Sequence, residues 1–155
     1  MAIQKELQFF PVDNANKKRL SIEQIESFNK NGFIFPITVF NSAQIGKISN
    51  YFNSLLDSAN KVGYEDYSIN GWHYHCRGIY NIMMNSIILD YVADLLGPNV
   101  LNIMTHLFYK RSHDERRVSW HQDASYWPLT PTKTVTVWLA LDDVSEQNGA
   151  MKFIP

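Results

Sequence analysis

A chain of 155 residues with 45% hydrophobic and 14% aromatic side chains carries enough apolar material for one packed core. Fourteen lysines and arginines against fifteen aspartates and glutamates leave a formal charge of −1, which excludes the basic footprint of a nucleic-acid or anionic-membrane binder. A single cysteine, Cys76, excludes an intramolecular disulfide, and with no leader-like apolar N-terminus and no run of ~20 apolar residues the expectation is a soluble, cytoplasmic protein.

Residues 1–20, with Phe9-Phe10-Pro11 and then a polar, basic segment, read as an irregular arm. Ser21-x-x-Gln24 is a capping box, and Ile22, Ile25 and Phe28 recur at helical spacing until Gly32, which places the first helix. Phe33-Ile34-Phe35-Pro36 reads as a short apolar strand. A second helix begins at Asn41 or Ser42, with Ile45, Ile48, Phe52 and Leu55 on one stripe and Lys47, Asn50 and Asn53 off it. Residues 61–81 hold Tyr64, Tyr67, Trp72, His73, Tyr74, His75 and Arg77 without clear periodicity and are expected to be loop with short strands. Ser86 is expected to cap a third helix with Ile87, Ile88, Tyr91, Val92, Leu95 and Leu96 on its apolar face and Gly97-Pro98 at its end. Strands are then expected at 101–109, 118–123, 134–141 and 150–154, with the mixed-sign run Lys110 to Arg117 as a solvated loop and Asn148-Gly149 as a hairpin-type turn. Helices followed by strands predict an α+β fold.

His121-Gln122-Asp123 is the most informative motif. In an extended strand the i, i+2 spacing aims the imidazole of His121 and the carboxylate of Asp123 at one point. One nitrogen and one anionic oxygen donor make two-thirds of the facial triad that holds non-haem Fe(II), and the same donors also suit Mn2+ or Zn2+. The spacing alone more often marks a surface or loop pair. His73 and His75 share it in the aromatic segment, where ordinary hydrogen-bonded or exposed histidines are the plainer reading, and His113 falls in the charged loop. Only His75 and Arg77 flank Cys76, so a neutral thiol is expected there.

The stretches WHQDASYW (120–127) and VWLALDDVSEQNGAMKFIP (137–155) resemble the phytanoyl-CoA dioxygenase family of Fe(II)- and 2-oxoglutarate-dependent oxygenases, specifically over residues 101–155 and more loosely upstream. The resemblance implies N-terminal helices packed on a partial jelly-roll (a cupin-like double-stranded β-helix), truncated on its C-terminal side with about half of the eight strands. It implies His121 and Asp123 as Fe(II) ligands, with 2-oxoglutarate as cosubstrate and O2 and a small organic substrate as reactants. Related halogenases carry a small residue in place of Asp123, so a hydroxylase is implied. In the family the distal metal histidine and the arginine that holds the far carboxylate of 2-oxoglutarate lie beyond the position of Pro155. Residues 1–155 are therefore expected to be a single, incomplete oxygenase domain, inactive by itself and prone to self-association through unpaired strand edges.

Four further residues are carried over from the resemblance. Trp138, sharing a strand face with Thr134, Thr136 and Ala140, lies against 2-oxoglutarate in the family, and His106 matches a position that touches it. Arg77 matches a basic position that reaches the cosubstrate, and Gln122 reaches it only where the strand twists or bulges. Beside these stand the plain readings of a core tryptophan, a hydrogen-bonded sheet histidine and a surface arginine. Thr136 is placed to hydrogen-bond a carboxylate. The competing account of the whole chain is a non-catalytic jelly-roll binding module with an incomplete metal site.

Overall fold

Two capping boxes set the starts of the long helices. In the computed structural model, which describes residues 7–13, 15–64 and 68–155, Ser21 is extended (φ −74°, ψ 165°) and its hydroxyl accepts from the Gln24 N–H at 3.2 Å while the Gln24 side chain accepts from the Ser21 N–H at 2.9 Å. This opens α1, Ile22–Asn31, which ends where Gly32 adopts φ 82° and returns its N–H to the Phe28 carbonyl, a conformation that favours glycine. Asn41 and Gln44 repeat the box at the start of α2, Ser42–Lys61. Residues 1–6 and 14 of the expected arm, and Tyr67, lie outside the described residues.

After α2 come β1 (Ser68–Asn70), a 3-10 turn at Trp72–Tyr74, α3 (Arg77–Met83), α4 (Ser86–Leu96) and β2 (His106–Phe108). β1 and β2 pair antiparallel, with Ser68 opposite Phe108, Ile69 opposite Leu107 and Asn70 opposite His106. Among the described residues no single helix is long and apolar enough to cross a membrane. The mixed helices and small sheet agree with the α+β reading.

The core has two centres. Phe52 and Leu56 of α2, Ile69 of β1 and Ile79 of α3 form one, against which Trp72, Leu107, Tyr109 and Leu141 pack. Val12, Leu20 and Ile25 form the other, with Phe28 of α1 and Tyr91 and Leu95 of α4. A polar clamp joins the arm to α4. The carboxylate of Asp94, 1% exposed, accepts three backbone N–H groups, from Lys18 (2.7 Å), Arg19 (2.7 Å) and Leu20 (2.8 Å). One turn earlier Asp90 pairs with Lys18 Nζ at 3.0 Å and Arg19 Nε at 3.2 Å. Burial by itself pushes the Asp94 carboxyl up, but the three backbone donors outweigh it and hold its pKa below the ordinary value.

Several expectations are corrected. Part of the 61–81 segment is the helix α3, because Ile79 docks into the core and Gly78 lets the Tyr51 ring close on the backbone. The Gly78 N–H donates to the Tyr51 hydroxyl at 3.2 Å, and a Cβ at Gly78 would overlap that ring. α4 is capped by Asn85 rather than Ser86, since Asn85 Oδ1 accepts from the N–H groups of Ile87 (2.9 Å) and Ile88 (3.4 Å). The strand expected over 101–109 shrinks to three residues, and 33–36, 118–123, 134–141 and 150–154 form no ladder among the described residues. A strand exists only where a neighbour takes its backbone groups, and these stretches meet other partners: the Leu141 carbonyl accepts the Ser49 hydroxyl of α2 at 2.9 Å, and the Phe33 and Phe153 rings stack at 4.7 Å. The turn at Asn148-Gly149 does form, with Asn148 Oδ1 accepting the Ser145 N–H at 2.6 Å and Gly149 at φ 97°. Residues 110–117 are a solvated loop in which Arg116 chelates Asp114 and holds that carboxyl down to about 2.

The chain exposes 11,934 Å², against about 8,000 Å² for a compact folded monomer of 18.0 kDa. Much of the large apolar surface left open lies on residues 101–155, including Val118, Trp120, Val137, Trp138, Phe153 and Ile154.

Candidate metal centre

Gln122 is extended (φ −120°, ψ 120°), and the chain then tightens into a 3-10 turn at Asp123–Ser125. The Gln122 carbonyl drives the turn by accepting both the Ser125 N–H (3.0 Å) and the Ser125 hydroxyl (2.7 Å). This change of direction brings the side chains on either side of Gln122 together, with His121 Nε2 3.1 Å from Asp123 Oδ1. Both are open to solvent, their side chains 36% and 39% exposed.

The hydrogen bonds around the pair fix its chemistry. His121 Nδ1 lies 2.7 Å from the Ser119 carbonyl oxygen, which can only accept, so Nδ1 carries a proton. In the neutral imidazole Nε2 is then a lone pair, and it faces an anionic oxygen. Two electron-rich atoms at this distance repel unless something positive lies between them, either a second ring proton or a cation. An Nδ1–H held by a carbonyl turns Nε2 toward Asp123, an arrangement shared by an imidazolium–carboxylate ion pair and by a histidine oriented for metal. The other carboxylate oxygen is engaged too, since Thr136 Oγ1 donates to Asp123 Oδ2 at 2.6 Å. The residues present therefore fit two donors of a divalent-cation site. Among the described residues no third histidine, cysteine, aspartate or glutamate joins them.

His106 is the predicted residue of another element that senses the pair. It stands on the exposed face of β2, its ring stacked on Phe108 at 3.8 Å, and close enough to feel the Asp123 carboxylate. Burial pushes the His106 pKa below its ordinary value and the charge of Asp123 pulls partly back. Trp138 is 46% exposed, Gln122 is exposed, and Arg77 lies in the first turn of α3 with its guanidinium 5.3 Å over the Tyr80 ring. No hydrogen bond, ion pair or ring contact joins these three to the pair among the described residues. Tyr126 flanks His121 with its ring 6.0 Å away.

His73 and His75 do not make a second pair. His73 is buried with Nδ1 2.7 Å from the Thr105 hydroxyl, and His75 is exposed. A cavity of about 330 Å³ lined by His73, Tyr74, Tyr80, Met83 and Asn102 lies beside α3 and includes none of the predicted ligands. The Cys76 thiol is pushed up by burial, which agrees with an inert role. The Ser119 carbonyl is the group that sequence reading missed, and a backbone oxygen leaves no signal in side-chain pattern.

Comparison with known proteins adds to this geometry. A family model described as phytanoyl-CoA dioxygenase (PhyH) matches residues 28–155. The chain belongs to the phytanoyl-CoA dioxygenase family. Peroxisomal phytanoyl-CoA dioxygenases of Homo sapiens and Bos taurus are 23% and 24% identical to it over 158 residues, taking in 88% of this chain and 47% of each relative. A probable alpha-ketoglutarate-dependent hypophosphite dioxygenase of Stutzerimonas stutzeri is 30% identical over 83 residues, 54% of this chain and 29% of that protein. The chain thus spans less than half the length of these relatives. No solved structure matches it significantly.

Proposed function

We propose that residues 1–155 supply the proximal part of the metal centre of an Fe(II)- and 2-oxoglutarate-dependent dioxygenase that hydroxylates a small organic substrate. The observation that carries this reading is the convergence of His121 Nε2 and Asp123 Oδ1 at 3.1 Å, with His121 Nδ1 held by the Ser119 carbonyl. Membership of the phytanoyl-CoA dioxygenase family supports the metal and the cosubstrate. So does a relative whose name states dependence on alpha-ketoglutarate, which is 2-oxoglutarate.

When bound, Fe(II) and 2-oxoglutarate would activate O2, the oxidant, with 2-oxoglutarate giving up two electrons on conversion to succinate and CO2 and the substrate giving up the other two on hydroxylation. The chain's own residues bind and orient. His121 and Asp123 hold the cation on one side and leave the other open. His106, close enough to feel the Asp123 carboxylate, is assigned to the cosubstrate together with Trp138 and, less directly, Gln122 and Arg77. The third protein donor and the arginine for the far carboxylate are assigned to the part of the family domain that residues 1–155 do not cover. The stretches 118–123, 134–141 and 150–154 are assigned as jelly-roll strands that pair with that part, in keeping with their open apolar surface.

The test is made on a protein that carries residues 1–155 together with the rest of the family domain: anaerobic addition of Fe(II) and 2-oxoglutarate, followed by the visible charge-transfer absorption of the chelate, and then admission of O2 with succinate measured. An absorption band that needs both additions, lost in Asp123→Ala, is expected. Its absence from the wild type overturns the reading. A second reading, a binding module with an incomplete metal site, is favoured by the lack of a third donor among the described residues. It predicts metal uptake with no succinate.

A further inference from the structure

On the reading that His121 and Asp123 hold a divalent cation, we infer that Thr136 is a positioning residue of the metal centre. Its hydroxyl occupies Oδ2 of Asp123, so that Oδ1 alone is presented to the cation beside His121 Nε2.

The two carboxylate oxygens have separate partners. Oδ1 faces His121 Nε2 at 3.1 Å, and Oδ2 accepts the Thr136 hydroxyl at 2.6 Å, a length typical of a hydroxyl donating to an ionised acceptor. A free carboxylate rotates about its last torsion and can close on a cation through both oxygens. That second bond would take a coordination position an oxygenase has to keep open. A donor fixed on Oδ2 prevents it. The β-branched side chain of Thr136 is stiff at its first torsion, so the hydroxyl is aimed by the backbone rather than by chance.

The bond also ties the turn to a second segment. Asp123 opens a single 3-10 turn in a segment with no strand ladder, and Thr136 lies thirteen residues further on. The contact pins the turn that carries one ligand to the 134–141 stretch, whose end is anchored to α2 through Ser49 and the Leu141 carbonyl. The Ser119 carbonyl holds the other ligand in the same way. Each ligand thus has one outer hydrogen bond that sets its orientation before metal arrives, and only the one to Asp123 comes from a replaceable side chain.

The experiment is a Co2+ titration of the chain, followed by the visible absorption of the bound metal, on wild type, Thr136→Val, Thr136→Ser and Asp123→Ala, with helical circular dichroism as a check on folding. Thr136→Val keeps the shape and removes the donor; affinity should fall about 10–100-fold, with absorption of the remaining complex weakened as the freed carboxylate raises the coordination number. Thr136→Ser keeps the donor and should restore both. Wild-type affinity and spectrum in Thr136→Val, alongside loss of binding in Asp123→Ala, overturns the role of Thr136 and leaves the metal reading standing. Equal weakening in Val and Ser variants also overturns it, because the methyl group rather than the hydroxyl is then what matters. Unchanged binding in Asp123→Ala overturns the metal reading and the inference together.

Discussion

Residues 7–96 and residues 101–155 handle their backbone and apolar groups differently. The first region is helical, and a helix satisfies most of its N–H and C=O groups within itself, leaving ends that Ser21, Asn41 and Asn85 cap. Among the described residues every buried hydrophobic side chain, from Val12 to Ile88, lies in this region. The second is built from stretches suited to strands, and a strand is satisfied only by a neighbour. It has one three-residue pairing, with β1, and keeps Val118, Trp120, Trp138 and Phe153 open to solvent. Yet this less finished region carries the metal-ligand pair. The lesson is that the site is organised by single hydrogen bonds, from the adjacent Ser119 carbonyl and from Thr136 thirteen residues on, in a region that supplies none of the buried hydrophobic side chains.

That contrast predicts a sharp split between substitutions that unfold and substitutions that disarm. Leu56→Ala, in the centre of the first core cluster, should cost about 3–4 kcal/mol by urea denaturation. A loss under about 1 kcal/mol would mean that the helical region is not where stability resides. Asp94→Ala leaves three backbone N–H groups of the arm without their acceptor and should cost about 2–3 kcal/mol, with faster amide exchange at Lys18, Arg19 and Leu20. Because the folded pKa of Asp94 lies below its ordinary value, its contribution is complete above about pH 4 and is lost as the pH falls through the lowered value. Wild type should therefore lose more stability between pH 7 and pH 3 than Asp94→Asn does; equal losses would take the clamp out of the account. Smallest should be Trp138→Ala, within about 0.5 kcal/mol of wild type because the side chain is half exposed. The same variant should weaken 2-oxoglutarate binding more than metal binding, and equal loss of both would return Trp138 to a packing role.

The sequence displayed the helical region well because its signals are local. Ser21 with Gln24, and Gly32 after Phe28, can be read without knowing anything distant. Asn85 and Ser86 are both good caps, and only the geometry that lets Asn85 Oδ1 reach Ile87 and Ile88 decides between them. α3 was hidden because its cause is remote: the Tyr51 ring, on another helix, closes on Gly78. For the strands, alternation and β-branching report fitness for a ladder and are silent about whether a partner is there. In the site, the pairing of His121 with Asp123 was legible from their spacing, while the strand face of Thr136 suggested a carboxylate partner without naming Asp123. The turn that joins the ligands was not, since it depends on Ser125 bonding back to the Gln122 carbonyl.

The central claim is that His121 and Asp123 form a cation site. The most direct measurement is a Mn2+ titration read by electron paramagnetic resonance, on wild type, His121→Ala and Asp123→Ala, with the urea midpoint of each recorded. The account predicts that wild type takes up Mn2+, that either substitution removes the uptake, and that the midpoints agree because both side chains are solvent-exposed and outside the core. Mn2+ binding that is the same in all three proteins would contradict it.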